Sequence, residues 1–312
     1  MSDPNEPSRA RASLFARAPL TTAILATVAL SFLFYLLPQI DLAVAGLFHE
    51  PGKSFPAAQI PLLQDFRTFG SNISLSLPLL LLVGVVLKLS FPAKTSLVPP
   101  RMALFFVSLY LLGPALLVNG ILKPYWGRPR PMNTDHFGGP WPFQGPWVMG
   151  PPGLGNHSFS SGEGAFIACL LPLVLFVPRE WRWPVGTLLG MFVAAVGLSR
   201  VAFGGHYLSD VVISIGLMLI LAAALHHLIF VRYRHTLSDA ALEKRLTALG
   251  YRMAEQRAQF RHWLRRTLAT SYRSARNLRR AERAIHPGAA ARAAAMDAPT
   301  GSVGAPTGTN PP

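Results

Sequence analysis

The chain has 312 residues, 51% of them hydrophobic and only 14% charged, against about 25% charged in ordinary soluble domains. With a mean hydropathy of +0.34, this composition excludes disorder across most of the chain, collagen-like sequence and coiled coil. The lone cysteine, Cys169, excludes an intrachain disulfide framework and a site of several thiolates. The formal charge of +15 would suit a nucleic-acid binder, but fifteen Lys/Arg against five Asp/Glu from Arg232 onward place +10 of it in the tail. Nucleic acid is therefore not an expected partner.

Residues 1–18 read as a cytoplasmic N-terminal segment, and six apolar runs follow, each near the roughly 20 residues that cross a hydrocarbon core. They are Leu20–Pro38, Ile73–Leu89, Ala103–Leu122, Gly164–Val177, Pro184–Leu198 and Val211–Val231, the fourth and fifth being short. The first run has basic residues before it and a cleavage-like Ala43-Val44-Ala45 after it, but it is too long and too far from that site for a signal peptide. Residues 19–231 thus predict an all-α, integral-membrane six-helix bundle. Placing the N-terminus inside puts Arg9, Arg11, Arg17, Lys88, Lys94, Arg101, Arg179, Arg182 and the tail in the cytoplasm, the side that basic residues favour. The expectation is an N-in/C-in protein of a bacterial inner membrane with its site facing the periplasm.

The remaining polar residues fall at the outer ends of these runs. After the third come Lys123, Arg128 and Arg130 among prolines that stop a helix. Before the fourth comes Ser158-Phe159-Ser160-Ser161-Gly162-Glu163, after the fifth Ser199-Arg200, and at the start of the sixth His206-Tyr207-Leu208-Ser209-Asp210. Such a set suits a phosphate: guanidinium forks and a lysine for its oxygens, and Ser161 with the N–H groups around Gly162 at a helix start as neutral donors. His206 and Asp210, four residues apart, would share a helix face. Asp210 then holds one imidazole nitrogen protonated and leaves the other to attack phosphorus. The pair also has metal-ligand spacing, but the cations beside it and the missing second histidine argue against a metal, and no cofactor is expected. Arg128 reads either as a headgroup anchor or as a substrate contact.

Lys123 through Pro131 matches the Lys-x6-Arg-Pro motif, and Ser199-Arg200-x5-His206-x3-Asp210 the third motif, of the type 2 phosphatidic acid phosphatase superfamily, which the chain resembles from about Leu20 to Val231. The resemblance implies metal-independent hydrolysis of a lipid phosphate. By it, Lys123, Arg130 and Arg200 bind phosphate, His206 forms a phosphohistidine and Asp210 orients it. The middle motif departs from the family's Pro-Ser-Gly-His: this chain has Ser160-Ser161-Gly162-Glu163. Glu163 or His157 would then supply the proton that the usual histidine gives the leaving oxygen. The Ser-Gly-Glu form is similar to a branch that includes lipid A 4′-phosphatases. Lipid A, undecaprenyl pyrophosphate and phosphatidylglycerol phosphate would all fit the pocket, and a phosphotransferase or a non-catalytic anionic-lipid binding or transport protein are the alternatives.

The Gly- and Pro-rich loop from Pro124 to Phe159 is long enough to cover a site. Trp141, Trp147, Trp181 and Trp183 read as interfacial anchors, His226 and His227 as interfacial residues of the opposite face, and Cys169 as a small buried hydrophobe. Beyond the last run, residues 232–286 predict a basic amphipathic cytoplasmic helix. Leu246, Leu249, Met253, Phe260, Leu264 and Leu268 recur there at helical steps between arginines, suiting the anionic inner leaflet or pairing with a second copy. Residues 287–312, dominated by Ala, Gly, Pro and Thr, predict a disordered tail.

Overall fold

A computed structural model describes residues 18–150 and 157–285; the segments expected at 1–18 (Ala18 apart) and 287–312, and loop residues 151–156, lie outside them. Among the described residues there are helices and turns and no strand beyond two isolated bridges, Glu50 with Ser54 and Thr134 with Trp141.

The helices are α1 (Pro19–Leu36), a short α2 (Gln39–Gly46), α3 (Pro61–Ser90), α4 (Pro100–Tyr110), α5 (Gly162–Ala168), α6 (Arg182–Ala202), α7 (Leu208–His226) and α8 (Asp239–Ile285). Proline opens α1, α3 and α4, where its missing N–H costs nothing and its fixed φ suits the first turn. Helix α4 runs on through a π-helical stretch, Leu111–Leu122, around the internal Pro114; a proline removes one ladder donor, and the wider i→i+5 winding absorbs the loss. It ends in the turn Lys123–Trp126 at Gly127, whose φ is 66°.

Among the described residues five segments are long and apolar enough to cross a membrane: Pro19–Leu36, Pro61–Ser90, Pro100–Asn133, Arg179–Ala202 and Leu208–Arg232. The fourth predicted run differs. It forms α5 and a 3-10 stretch, Leu171–Phe176, an apolar unit shorter than a span. Ser161 caps its start, and Pro172 interrupts its ladder. Apolar side chains such as Leu25, Val28, Leu80, Leu188 and Met191 point outward and are exposed, as lipid-facing surfaces require.

Helix α7 is central, packing on α1, α4 and α5 and touching α2 and α6. Small residues let it approach: a methyl at Gly216 would land on Thr27, at Gly113 on Met218 and at Gly197 on Val211. Phe105, Phe106, Leu109, Val118, Ala165, Cys169 and Met218 fill the core between them, so Cys169 is the buried hydrophobe expected. At the other end of the bundle Lys88 pairs with Glu243 at 2.7 Å, and the Arg101 N–H donates to Asp239, tying the start of α8 to the α3–α4 connection.

The chain divides into two compact units at Gly250. The second is the remainder of α8, in which Met253, Phe260, Trp263, Leu264 and Leu268 are exposed apolar residues among arginines.

Candidate active site

Four chain segments meet at one end of the bundle: the end of α4, the start of α5, the end of α6 and the start of α7. Helix α6 stops at Gly204, whose φ of 63° reverses the chain; any Cβ there would strike the ring of Phe55 from the connection between α2 and α3. His206 follows in the short turn before α7, so it does not share a helix face with Asp210 as the spacing predicted. Instead Asp210, in the first turn of α7, reaches back to accept from the Tyr207 N–H at 2.9 Å.

The bond at His206 Nδ1 is also different from the expected one. The ring nitrogen lies 2.7 Å from the Ser158 carbonyl oxygen and 3.8 Å from Asp210 Oδ2. A carbonyl only accepts, so Nδ1 carries the proton and Nε2 the lone pair. Asp210 acts on the ring as a nearby charge and through Ser158, whose hydroxyl donates to Oδ2 at 2.6 Å. Burial pushes His206 below the ordinary imidazole range, against the pull of Asp210, which favours the neutral form near pH 7.

Behind Asp210 lies a buried network that sequence spacing did not indicate. Arg128 is fully buried, paired with Asp210 through Nη1 and with Asp41 of α2 through Nη2 at 2.8 Å, and lies 4.3 Å over the Tyr207 ring. It is thus neither a headgroup anchor nor a surface cation. Asp41 also accepts from the Ser209 N–H at 2.9 Å and from its hydroxyl. Burial pushes the Asp41 carboxyl up, yet its hydrogen-bond partners, Arg128 Nη2 and the Ser209 N–H and hydroxyl, are all donors, the surroundings of an ionised carboxylate.

On the other side of His206 are the cations. Lys123, Arg130 and Arg200 lie close enough to act on one another's charge, and Lys123 and Arg200 on that of His206. Gly162 makes room for the lysine, because a Cβ there would sit 2.8 Å from its Nζ. The Nε atoms of Arg130 and Arg200 and the Ser160 hydroxyl are buried without a hydrogen-bond partner among the described residues. Ser161 spends its acceptor on the cap, taking the Gly164 N–H at 3.1 Å, and its own proton remains free to donate.

The sequence profile of the PAP2 superfamily matches residues 103–234, the stretch that carries all of these motifs. The chain is also 31% identical over 193 residues to a lipid A 4'-phosphatase of Francisella tularensis subsp. novicida, covering 57% of this chain and 81% of that protein. The chain belongs to the PAP2 superfamily. Lipid A 4'-phosphatases of Rhizobium leguminosarum and Rhizobium etli are 44% and 43% identical over 115 residues, 37% of this chain. The chain spans about half the length of these two relatives, 49% and 45%. A solved PAP2-type phosphatidylglycerolphosphate phosphatase from Bacillus subtilis superposes with a TM-score of 0.43 at 22% identity, covering 68% of this chain and 96% of that one.

Where most PAP2 members are expected to carry histidine, this chain's Glu163 is held by Arg67 of α3. Arg67 Nε lies 2.9 and 3.2 Å from the two carboxylate oxygens and Nη2 adds a third bond, while Arg200 Nε stands 3.4 Å away. Both oxygens of Glu163 accept from Arg67, the surroundings of an ionised carboxylate. His157, the other candidate acid, places Nδ1 at 2.8 Å from the Lys123 carbonyl, so Nδ1 donates and Nε2 is the nitrogen available for transfer. Arg67 and Asp41 belong to this cluster and to no motif; the sequence signal for both is a charged residue inside or beside an apolar run. Among the described residues no three His, Cys, Asp or Glu side chains gather as metal ligands would.

Proposed function

We propose that this PAP2 protein hydrolyses a phosphate group from a membrane lipid through a phosphohistidine on His206. The observation that carries it is a pair of buried donors without a hydrogen-bond partner among the described residues, Arg130 Nε and Ser160 Oγ, beside Lys123, a neutral imidazole and Arg200, whose Nε has only the 3.4 Å ion pair with Glu163. Buried donors left without partners are rare and costly unless a ligand completes them, and an anion with several oxygens does so.

In the first step the Nε2 lone pair forms a bond to phosphorus while the P–O bond to the lipid breaks, its electrons leaving on the lipid oxygen. His157, entering the step as the imidazolium, gives its Nε2 proton to that oxygen and keeps the Nδ1 proton on the Lys123 carbonyl. Water then attacks the phosphohistidine and passes a proton to Nε2 of the now neutral His157, the N–P bond returns its electrons to Nε2 of His206, and inorganic phosphate leaves. Lys123, Arg130, Arg200, Ser160 and Ser161 hold the phosphoryl oxygens, with the N–H groups at Gly162. Glu163 and Arg67 shape the cradle and orient Arg200.

The names of the relatives favour the 4′-phosphate of lipid A as substrate, and the distribution of basic residues favours a site at the periplasmic face of an inner membrane with both termini in the cytoplasm. We further read α8 beyond Gly250 as lying on the anionic inner leaflet: ten arginines against two glutamates over 251–285 would repel a parallel copy, whereas anionic lipid attracts them. The decisive experiment is phosphate release from purified lipid A, undecaprenyl pyrophosphate and phosphatidylglycerol phosphate, with and without chelator. Release from lipid A in chelator supports the reading, passage of the phosphoryl group to a second lipid supports a transferase, and inertness on every lipid supports a binding protein.

A further inference from the structure

We propose that Asp41 is a positioning residue for the nucleophile, acting through Arg128 to leave the charge of Asp210 available to His206. The inference rests on the phosphohistidine reading and names a residue outside the segment that the family profile matches.

The chain of contacts is continuous. Asp41 accepts from Arg128 Nη2 at 2.8 Å, Arg128 pairs through Nη1 with Asp210, Asp210 accepts from the Ser158 hydroxyl at 2.6 Å, and the Ser158 carbonyl accepts from His206 Nδ1 at 2.7 Å. Ser209 links both ends, its N–H and hydroxyl donating to Asp41 and its oxygen accepting from Arg128 Nη1 at 2.9 Å. Asp41, Arg128, Ser209 and Asp210 have no exposed surface, so solvent does not screen these charges.

The sign of the group decides its use. Arg128 with Asp210 alone would be a neutral pair, and its dipole would do little for a charge on the imidazole. Asp41 adds a second carboxylate, so the trio carries one net negative charge, and the guanidinium is shared. When Nε2 bonds to phosphorus and the lipid oxygen departs with the P–O electrons, Nδ1 keeps its proton and the ring becomes cationic. A buried negative charge already in place stabilises that cation without rearrangement. Because Asp41 sits on α2, directly after the first span, the geometry also explains why the site needs a segment that carries no family motif.

The test is the rate of phosphohistidine formation in the full chain, trapped from labelled lipid phosphate and counted per molecule that still binds vanadate, so that unfolded protein drops out. Asp41→Asn should lower kcat about 10-fold or more, the scale of a lost electrostatic contact in a site, with KM kept within about two-fold. Asp41→Glu, which restores the charge, should hold kcat well above the asparagine variant. Asp41→Asn combined with Arg128→Gln removes one charge of each sign and should recover part of the loss. Parental kcat in Asp41→Asn, equal losses in the Asn and Glu variants, or a double variant slower than Asp41→Asn overturns the proposal. Failure of the parent to form phosphohistidine would instead sink the hydrolase reading.

Discussion

At the scale of single residues, the nucleophile and the acid separate cleanly by experiment. His206→Ala should abolish turnover while the protein still inserts, and Asp210→Asn should slow it by about 10²-fold. Parental turnover in the alanine variant contradicts the assignment. For the acid, His157→Ala should cost about 10²–10⁴-fold on lipid and much less on an activated ester, whose leaving group departs without a proton. Glu163→Gln should instead raise KM similarly for good and poor leaving groups, because it loosens the Arg67–Arg200 arrangement. The reverse pattern would return the acid role to Glu163. Burial also sets the pH dependence: a depressed His206 pKa keeps the imidazole neutral to lower pH. The acid limb of kcat/KM should therefore fall below about 6.5, the value of an exposed histidine, and a limb at or above it in a pH titration would contradict this. Arg128→Met leaves Asp41 and Asp210 as buried, unpaired carboxylates, at a stability cost on the order of 3–5 kcal/mol. Thermal denaturation in detergent measures it.

At the scale of elements, the motifs were legible because each lies within a few residues of sequence: Lys123 with Arg130 on one turn-rich segment, Arg200 with His206 and Asp210 on another. Composition likewise marked the spans. What escaped was pairing across distance. Asp41 meets Ser209 and Arg67 meets Glu163 only after α2, α3, α5 and α7 have packed, and nothing local to either residue announces its partner. The His206 geometry departs from what its spacing implies for a related reason. Spacing of four implies a shared helix face only inside a helix, and Gly204 ends α6 while α7 begins at Leu208. The fourth apolar run, short already in the sequence, forms an apolar helix, Gly162–Phe176, below the length of the five longer ones, with Ser161 capping its start and Pro172 inside it. Helix α8 followed its periodicity, and its role can be measured. A Leu268→Cys probe in a Cys169→Ala background, carrying an environment-sensitive dye, should shift to the blue when the full protein sits in anionic nanodiscs. It should not shift in neutral ones, and added salt should reverse the shift. Equal spectra in both lipids would contradict the membrane-surface reading.

At the scale of the whole molecule, every element of the site lies at the end of α4, α6 and α7 that carries the long loop, whereas Lys88, Arg101 and the start of α8 lie at the other. The side of the membrane on which the loop sits therefore decides which lipids can enter. Basic residues predict that the loop is outside and α8 inside. Two exposed positions report this directly: Met149 in the loop and Ala269 in α8. In a Cys169→Ala background, Met149→Cys should react with a membrane-impermeant thiol reagent on intact cells with the outer membrane permeabilised. Ala269→Cys should react only after the inner membrane is opened. The buried Cys169, sealed in the core, contributes no labelling of its own even where the substitution is omitted. If Ala269→Cys labels first, the phosphate site faces the cytoplasm, and a substrate confined to the outer leaflet of the inner membrane is removed from consideration whatever the hydrolysis assays return.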